Sequence, residues 1–105
     1  MSVTRAQIDE AVARLVAEFR PQRVVLFGSR ARGGADTESD VDLLVVHEFQ
    51  GSRLEVGAQM RARLDATLAI DLVLRRPDEV AAGLGMDFLT SVALREGVTL
   101  YERAA

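Results

Sequence analysis

Residues 24–46 read VVLFGSRARGGADTESDVDLLVV, and the order of apolar and polar blocks in this stretch decides the fold. Val24-Val25-Leu26-Phe27 is a β-branched and aromatic run that breaks at Gly28-Ser29, as a buried strand does. A stretch rich in Gly, Ser, Asp and Thr, from Gly33 to Ser39, separates it from a second apolar run, Val41 to Val46. The two strands are joined by too little chain for a full crossover helix, so the sheet is expected to be mixed rather than purely parallel.

Working outward, Thr4 with Gln7 three residues on reads as a capping box. Ile8, Val12, Leu15, Val16 and Phe19 then recur on one helical face until Pro21 stops the helix. On the other side, Ser52 and Glu55 read as a second capping box, opening a helix that carries Leu54, Val56, Met60 and Leu64 inward and ends near Ala66. A third strand, Ile70 to Leu74, follows. Pro77, the pair Gly83 and Gly85, and the C-cap candidate Gly97 punctuate the remainder. They leave a helix around Phe88, Leu89, Val92 and Leu94 and a last strand, Val98 to Tyr101. The expected architecture is α/β, a mixed β-sheet with helices packed on it, in one domain over residues 1–105.

Composition removes several kinds of chemistry. The 105 residues include no cysteine and one histidine, His47, so disulfides, thiolate sites and any site needing two imidazoles are excluded. All 13 cationic residues are arginine, which excludes a P-loop lysine and a Schiff-base lysine. The formal charge of −3 supplies no general field for nucleic acid or an anionic membrane, so strong nucleic-acid binding is not expected and any polyanion must be met by a local device. The polar start, MSVTRAQIDEA, and the lack of a long apolar run lead us to expect cytoplasmic residence without membrane attachment.

Three places could carry chemistry. In Gly28-Ser29-Arg30-Ala31-Arg32-Gly33 a glycine lets the backbone approach a ligand. Unpaired N–H groups and the Ser29 hydroxyl can point at phosphate oxygens, with charge-assisted contacts from Arg30 and Arg32. An ordinary tight turn with two solvated arginines is the plain alternative. Asp40-Val41-Asp42 opens the second strand, and strand alternation projects both carboxylates from the same face, about 7 Å apart. Such a pair can share Mg²⁺ or Mn²⁺ with substrate phosphates. Asp71 lies within the apolar run Ile70 to Leu74, where a lone carboxylate is costly unless paired or metal-bound. If its strand lies beside the second, Asp71 completes a three-carboxylate cluster that could hold two metals. An Asp on the solvent face of an edge strand is the alternative. His47 reads as a strand-end residue, Arg75-Arg76 as a solvated pair, and Gly83-x-Gly85 as a loop.

The combined pattern, Gly28-Ser29, ten residues, Asp40-x-Asp42, then an apolar strand bearing Asp71, resembles the nucleotidyltransferase superfamily of the DNA polymerase β type. More narrowly it is similar to the minimal nucleotidyltransferase (MNT) domains, related to kanamycin nucleotidyltransferase and commonly paired with a HEPN-domain partner in toxin–antitoxin modules. The resemblance spans about residues 4 to 103. It implies the nucleotidyltransferase fold, with Gly28 and Ser29 seating the triphosphate of an NTP and Arg32 supporting the phosphates. By the same resemblance Asp40 and Asp42 bind two Mg²⁺ ions, with Mn²⁺ as a substitute, and Asp71 ligates one of them and helps activate the attacking hydroxyl. Larger relatives carry a second domain for the acceptor, and no residues here remain for one, so the acceptor is expected from elsewhere. The function implied is transfer of AMP from ATP to a hydroxyl of a partner protein, in a hetero-oligomer with a HEPN toxin that this chain antagonises. The rival readings are a binding antitoxin with a vestigial nucleotide site and a transferase acting on a small molecule or nucleic acid.

Overall fold

The computed structural model describes residues 3–31, 40–82 and 87–104. Thr4 opens helix α1 (Arg5–Phe19) with both halves of the capping box: its hydroxyl accepts from the Gln7 N–H at 3.1 Å, and Gln7 Oε1 accepts from the Thr4 N–H at 2.9 Å. The helix closes at Arg20, whose left-handed backbone (φ 51°) lets its N–H reach the Val16 carbonyl ahead of Pro21. Strands β1 (Arg23–Phe27) and β2 (Val41–Val46) follow, then helix α2 (Arg53–Ala62), strand β3 (Ile70–Arg75), helices α3 (Pro77–Ala82) and α4 (Phe88–Glu96), and strand β4 (Val98–Glu102).

The sheet is mixed, as expected, in the order β3-β2-β1-β4. Strand β1 pairs antiparallel with both β2 and β4, while β3 runs parallel to β2. Covered on both faces, the two central strands are apolar without alternation, and their side chains divide between two cores. Val24, Leu26, Leu43 and Val45 join Ile8 and Leu15 of α1 and Met60 of α2 on one face. Val25, Phe27, Leu44 and Val46 meet Ala93 of α4 and Val80 of α3 on the other. Among the described residues no helix is long and apolar enough to cross a membrane.

Four expectations need correction. Helix α2 ends at Ala62 rather than near Ala66, and Leu54 is 83% exposed rather than inward. The helical period explains the second point: Met60 follows Val56 by four residues on one face, whereas Leu54 precedes Val56 by two and so lies nearly opposite. At the start of α2, Ser52 Oγ accepts from the Glu55 N–H at 3.2 Å, and the reciprocal Glu55 contact is absent among the described residues. Pro77 starts a helix of its own, α3, because a ring that fixes φ and lacks an N–H is tolerated at the first helical position. Gly97 caps α4 as expected, in extended conformation (φ −78°). Its reason is proximity, since a Cβ there would lie 2.4 Å from Val25 Cγ1 and 2.9 Å from the Leu26 carbonyl oxygen. The pair Gly83 and Gly85 lies outside the described residues.

Candidate nucleotide and metal site

The register of the sheet gathers the acids. Phe27, the last residue of β1, pairs with Asp42, and on the other side Asp42 pairs in parallel register with Asp71. Asp42 and Asp71 therefore project side by side from the same face, and Asp40, just ahead of β2, lies near enough for its charge to act on Asp42. Asp42 is half-buried, whereas Asp40 and Asp71 are exposed. β3 is an edge strand, as the alternative reading of Asp71 has it, and it lies beside β2, the condition on which a three-carboxylate cluster depends.

Gly28 follows β1 with φ +80°, a region that L side chains rarely adopt. A Cβ on Gly28 would lie 2.4 Å from Asp42 Oδ2, so the carboxylate occupies the space that any other side chain would need. The Ala31 N–H donates to the Gly28 carbonyl at 3.1 Å, closing a turn with Ser29 and Arg30 at its centre. The Arg30 guanidinium donates to the Val3 carbonyl at 2.5 Å, tying this turn to the start of the described chain. Arg32, and the loop from Gly33 to Ser39, lie outside the described residues.

Electrostatics single out Asp42. Burial pushes its carboxyl above the ordinary 3.8, and the negative charges of Asp71 and then Asp40 push it further the same way. A half-buried carboxylate with like charge on either side is relieved by a cation, and an all-oxygen donor set suits Mg²⁺ or Mn²⁺. The space at Gly28 and the charge on Asp42 fit that role. Full convergence is not observed: among the described residues no three acidic or imidazole side chains stand close enough to hold one ion. Repulsion among like charges favours separated rotamers, and Asp40, just ahead of β2, is free of the sheet's constraint.

A residue that the sequence reading did not single out lines one groove together with Asp71. Arg61, near the end of α2, donates to the Leu68 carbonyl at 2.8 Å and to the Asp65 carbonyl at 3.3 Å. It thereby fastens the turn that feeds β3. A helix-terminal arginine carries no sequence signal for this, since the acceptors are backbone atoms beyond the helix.

The sequence profile of the nucleotidyltransferase domain family matches residues 6–97. The chain belongs to that family. Among solved structures it is similar to one assigned as a nucleotidyltransferase from Sulfolobus solfataricus, with a TM-score of 0.67 and 23% identity over 93% of this chain and 79% of that one. A toxin–antitoxin crystallised with AMP-PNP matches with a TM-score of 0.60 and 18% identity, covering 90% of this chain and 73% of that one. A mutant of the toxin–antitoxin MntA-HpeT carrying two Asp-to-Glu substitutions gives 0.57 and 15% over the same shares. These likenesses establish the fold. No curated protein matches the chain by sequence.

In this nucleotidyltransferase domain the remaining sequence candidates stand apart from the acids. His47 follows β2 at the end opposite Asp42, its N–H bonded to the Arg75 carbonyl and its ring edge-on to Phe19 at 6.2 Å. Burial, and then the Arg103 charge, lower its pKa below the ordinary 6.5. Arg75 and Arg76 are not a solvated pair. Arg75 is ion-paired with Asp87, and Arg76 lies over the Phe49 ring at 5.0 Å.

Proposed function

We infer that this nucleotidyltransferase domain transfers AMP from ATP to a hydroxyl of a partner protein, and that it acts in this way as the antitoxin of a HEPN toxin. The observation that carries the reading is the position of Asp42, set against the Gly28 turn on one side and Asp71 on the other. The toxin–antitoxin neighbours, one of them crystallised with AMP-PNP, support the choice of nucleotide and of partner class. The resemblance to MNT domains supplies the HEPN identity.

In this reading Asp40, Asp42 and Asp71 hold two Mg²⁺ ions, and Mn²⁺ could replace them. When bound, such ions stabilise both the attacking oxygen and the departing pyrophosphate of an in-line displacement. Gly28 and Ser29 seat the triphosphate, because backbone without a Cβ can approach phosphate oxygens closely. Arg30 and Arg32 add charge-assisted donors, a guanidinium having five N–H groups to distribute. Asp71, on the exposed edge strand, faces the side from which an acceptor can enter and orients the acceptor hydroxyl. The hydroxyl oxygen bonds to the α-phosphorus, the bond to the β-phosphate oxygen breaks, and the hydroxyl proton passes to Asp71 or solvent. The chain works as one cytoplasmic domain in a hetero-oligomer with the toxin, which itself presents the acceptor.

The test is incubation with the HEPN-type partner and ATP labelled at the α- or the γ-phosphate. Label from the α-position should appear on the partner and label from the γ-position should not. Asp42→Asn should abolish transfer through loss of charge at the cation site. Neutralisation of the toxin by Asp42→Asn with no label from either chain would overturn the reading in favour of masking by a binding antitoxin.

A further inference from the structure

Asp71 is the second residue of β3, an edge strand, so its backbone is held from one side only, by β2. The ends of such strands open most readily, and the charge of Asp42 directly beside Asp71 favours opening. What opposes it is the turn ahead of β3. There the Leu68 N–H donates to the Asp65 carbonyl at 3.1 Å and the Ile70 N–H to the Leu68 carbonyl at 3.0 Å. The Asp65 carboxylate accepts from the Thr67 N–H at 2.9 Å and from the Thr67 hydroxyl at 2.6 Å. From outside the turn, the half-buried Arg61 guanidinium reaches the same two carbonyls, Leu68 at 2.8 Å and Asp65 at 3.3 Å.

This turn touches both acid-bearing strands. The Ala69 carbonyl accepts from the Val41 N–H at 2.9 Å, and Val41 stands between Asp40 and Asp42. Asp71 lies two residues beyond the same Ala69. One guanidinium rooted in α2 therefore steadies the backbone next to all three aspartates. A rigid fork of donors can span two carbonyls in this way, whereas a single ammonium cannot.

We propose that Arg61 is a positioning residue for the cation site, clamping the 65–68 turn so that Asp71 stays in register with Asp42 against their mutual repulsion. The role rests on the proposed function, which assigns these carboxylates to Mg²⁺; the clamp rests on the hydrogen bonds. Groups that orient metal ligands without touching the metal characteristically change its affinity by about 10–100-fold. Charge alone makes the opposite demand. Removing a guanidinium from the neighbourhood of the acids would then strengthen cation binding, and replacing it by lysine would leave binding as it is.

Mn²⁺ alone, titrated into the whole chain and followed by the electron paramagnetic resonance signal of the free ion, separates the two. Arg61→Ala should bind it on the order of tenfold more weakly than wild type, with Arg61→Lys in between. Arg63→Ala removes an exposed arginine that is ion-paired with Glu18, and should leave binding unchanged. In an Asp71→Asn background, already short of one ligand, Arg61→Ala should weaken binding no further. Without any ion, amide exchange at Val41 should be faster in Arg61→Ala on the order of tenfold. The His47 amide, bonded to the Arg75 carbonyl at the far end of the same ladder, should keep its wild-type rate. Mn²⁺ binding by Arg61→Ala as tight as wild type or tighter, or unchanged exchange at Val41, would overturn the clamp and leave the proposed function standing. Failure of wild type to bind Mn²⁺ at millimolar concentration would overturn the proposed function, and this role with it.

Discussion

Replacing Gly28 by alanine tests whether the Asp42 carboxylate constrains the turn. Two costs add at this position. Holding an alanine at φ +80° costs about 1–2 kcal/mol. The new Cβ would also sit 2.4 Å from Asp42 Oδ2, well inside contact distance, and driving that side chain off its rotamer costs about 0.5–1.5 kcal/mol more. Gly51 is an internal reference, because its φ of +84° is nearly the same and nothing lies within 4 Å of its missing Cβ. Reduced freedom of the unfolded chain affects both alanines equally and cancels in the comparison. Thermal unfolding followed by circular dichroism should therefore show Gly28→Ala as the more destabilised by about 1 kcal/mol, or roughly 4–8 °C in a domain of this size. In an Asp42→Ala background only the Asp42 Cβ remains, at an ordinary 3.6 Å, so Gly28→Ala should there cost no more than Gly51→Ala. Equal losses for the two alanines in the wild-type background, or no coupling with Asp42, would mean that the carboxylate does not constrain the turn.

Other outcomes follow from the charges. Because Asp42 is held above its ordinary value, by burial first and then by Asp71 and Asp40, the folded state binds its proton more tightly than the unfolded state does. Stability present below the unfolded pKa is thus lost as pH rises through the folded one. Asp42→Asn should raise the melting temperature at neutral pH in chelator, with the gain shrinking as pH falls toward 3.8, and a lowered melting temperature at neutral pH would contradict this. Asp87 behaves oppositely: the Thr90 N–H that it caps and then Arg75 lower its pKa to about 2. Its contribution is present above the ordinary 3.8 and lost as pH falls toward about 2. Asp87→Ala should cost about 1 kcal/mol at neutral pH, mostly as a lost cap, and the difference from wild type should close in acid.

What was legible in the sequence was local. The Thr4–Gln7 box, the break at Gly28-Ser29 and the apolar run of β2 each follow from contacts within a few residues, and each stands where expected. The closeness of Gly28, Asp42 and Asp71 is different in kind. The residue types suggested it, but it depends on an antiparallel register on one side of β2 and a parallel one on the other, which no periodicity reports. Arg75 was misread because its carboxylate partner, Asp87, lies twelve residues on and across α3. Leu54 was misread because an apolar residue in an amphipathic segment was assigned to the core without counting its angle from Val56. That exposed leucine lines an open groove along β3 together with Asp71.

If the Gly28 turn and the three aspartates form a cation-dependent nucleotide site, calorimetric titration of ATP into the chain alone will register it. Binding should require Mg²⁺ or Mn²⁺, saturate at one nucleotide per chain and disappear in Asp42→Asn. The folded Asp42→Asn chain should meanwhile keep its circular dichroism. Failure of ATP to bind at millimolar concentration with either cation, or equal binding by wild type and Asp42→Asn, would contradict such a site.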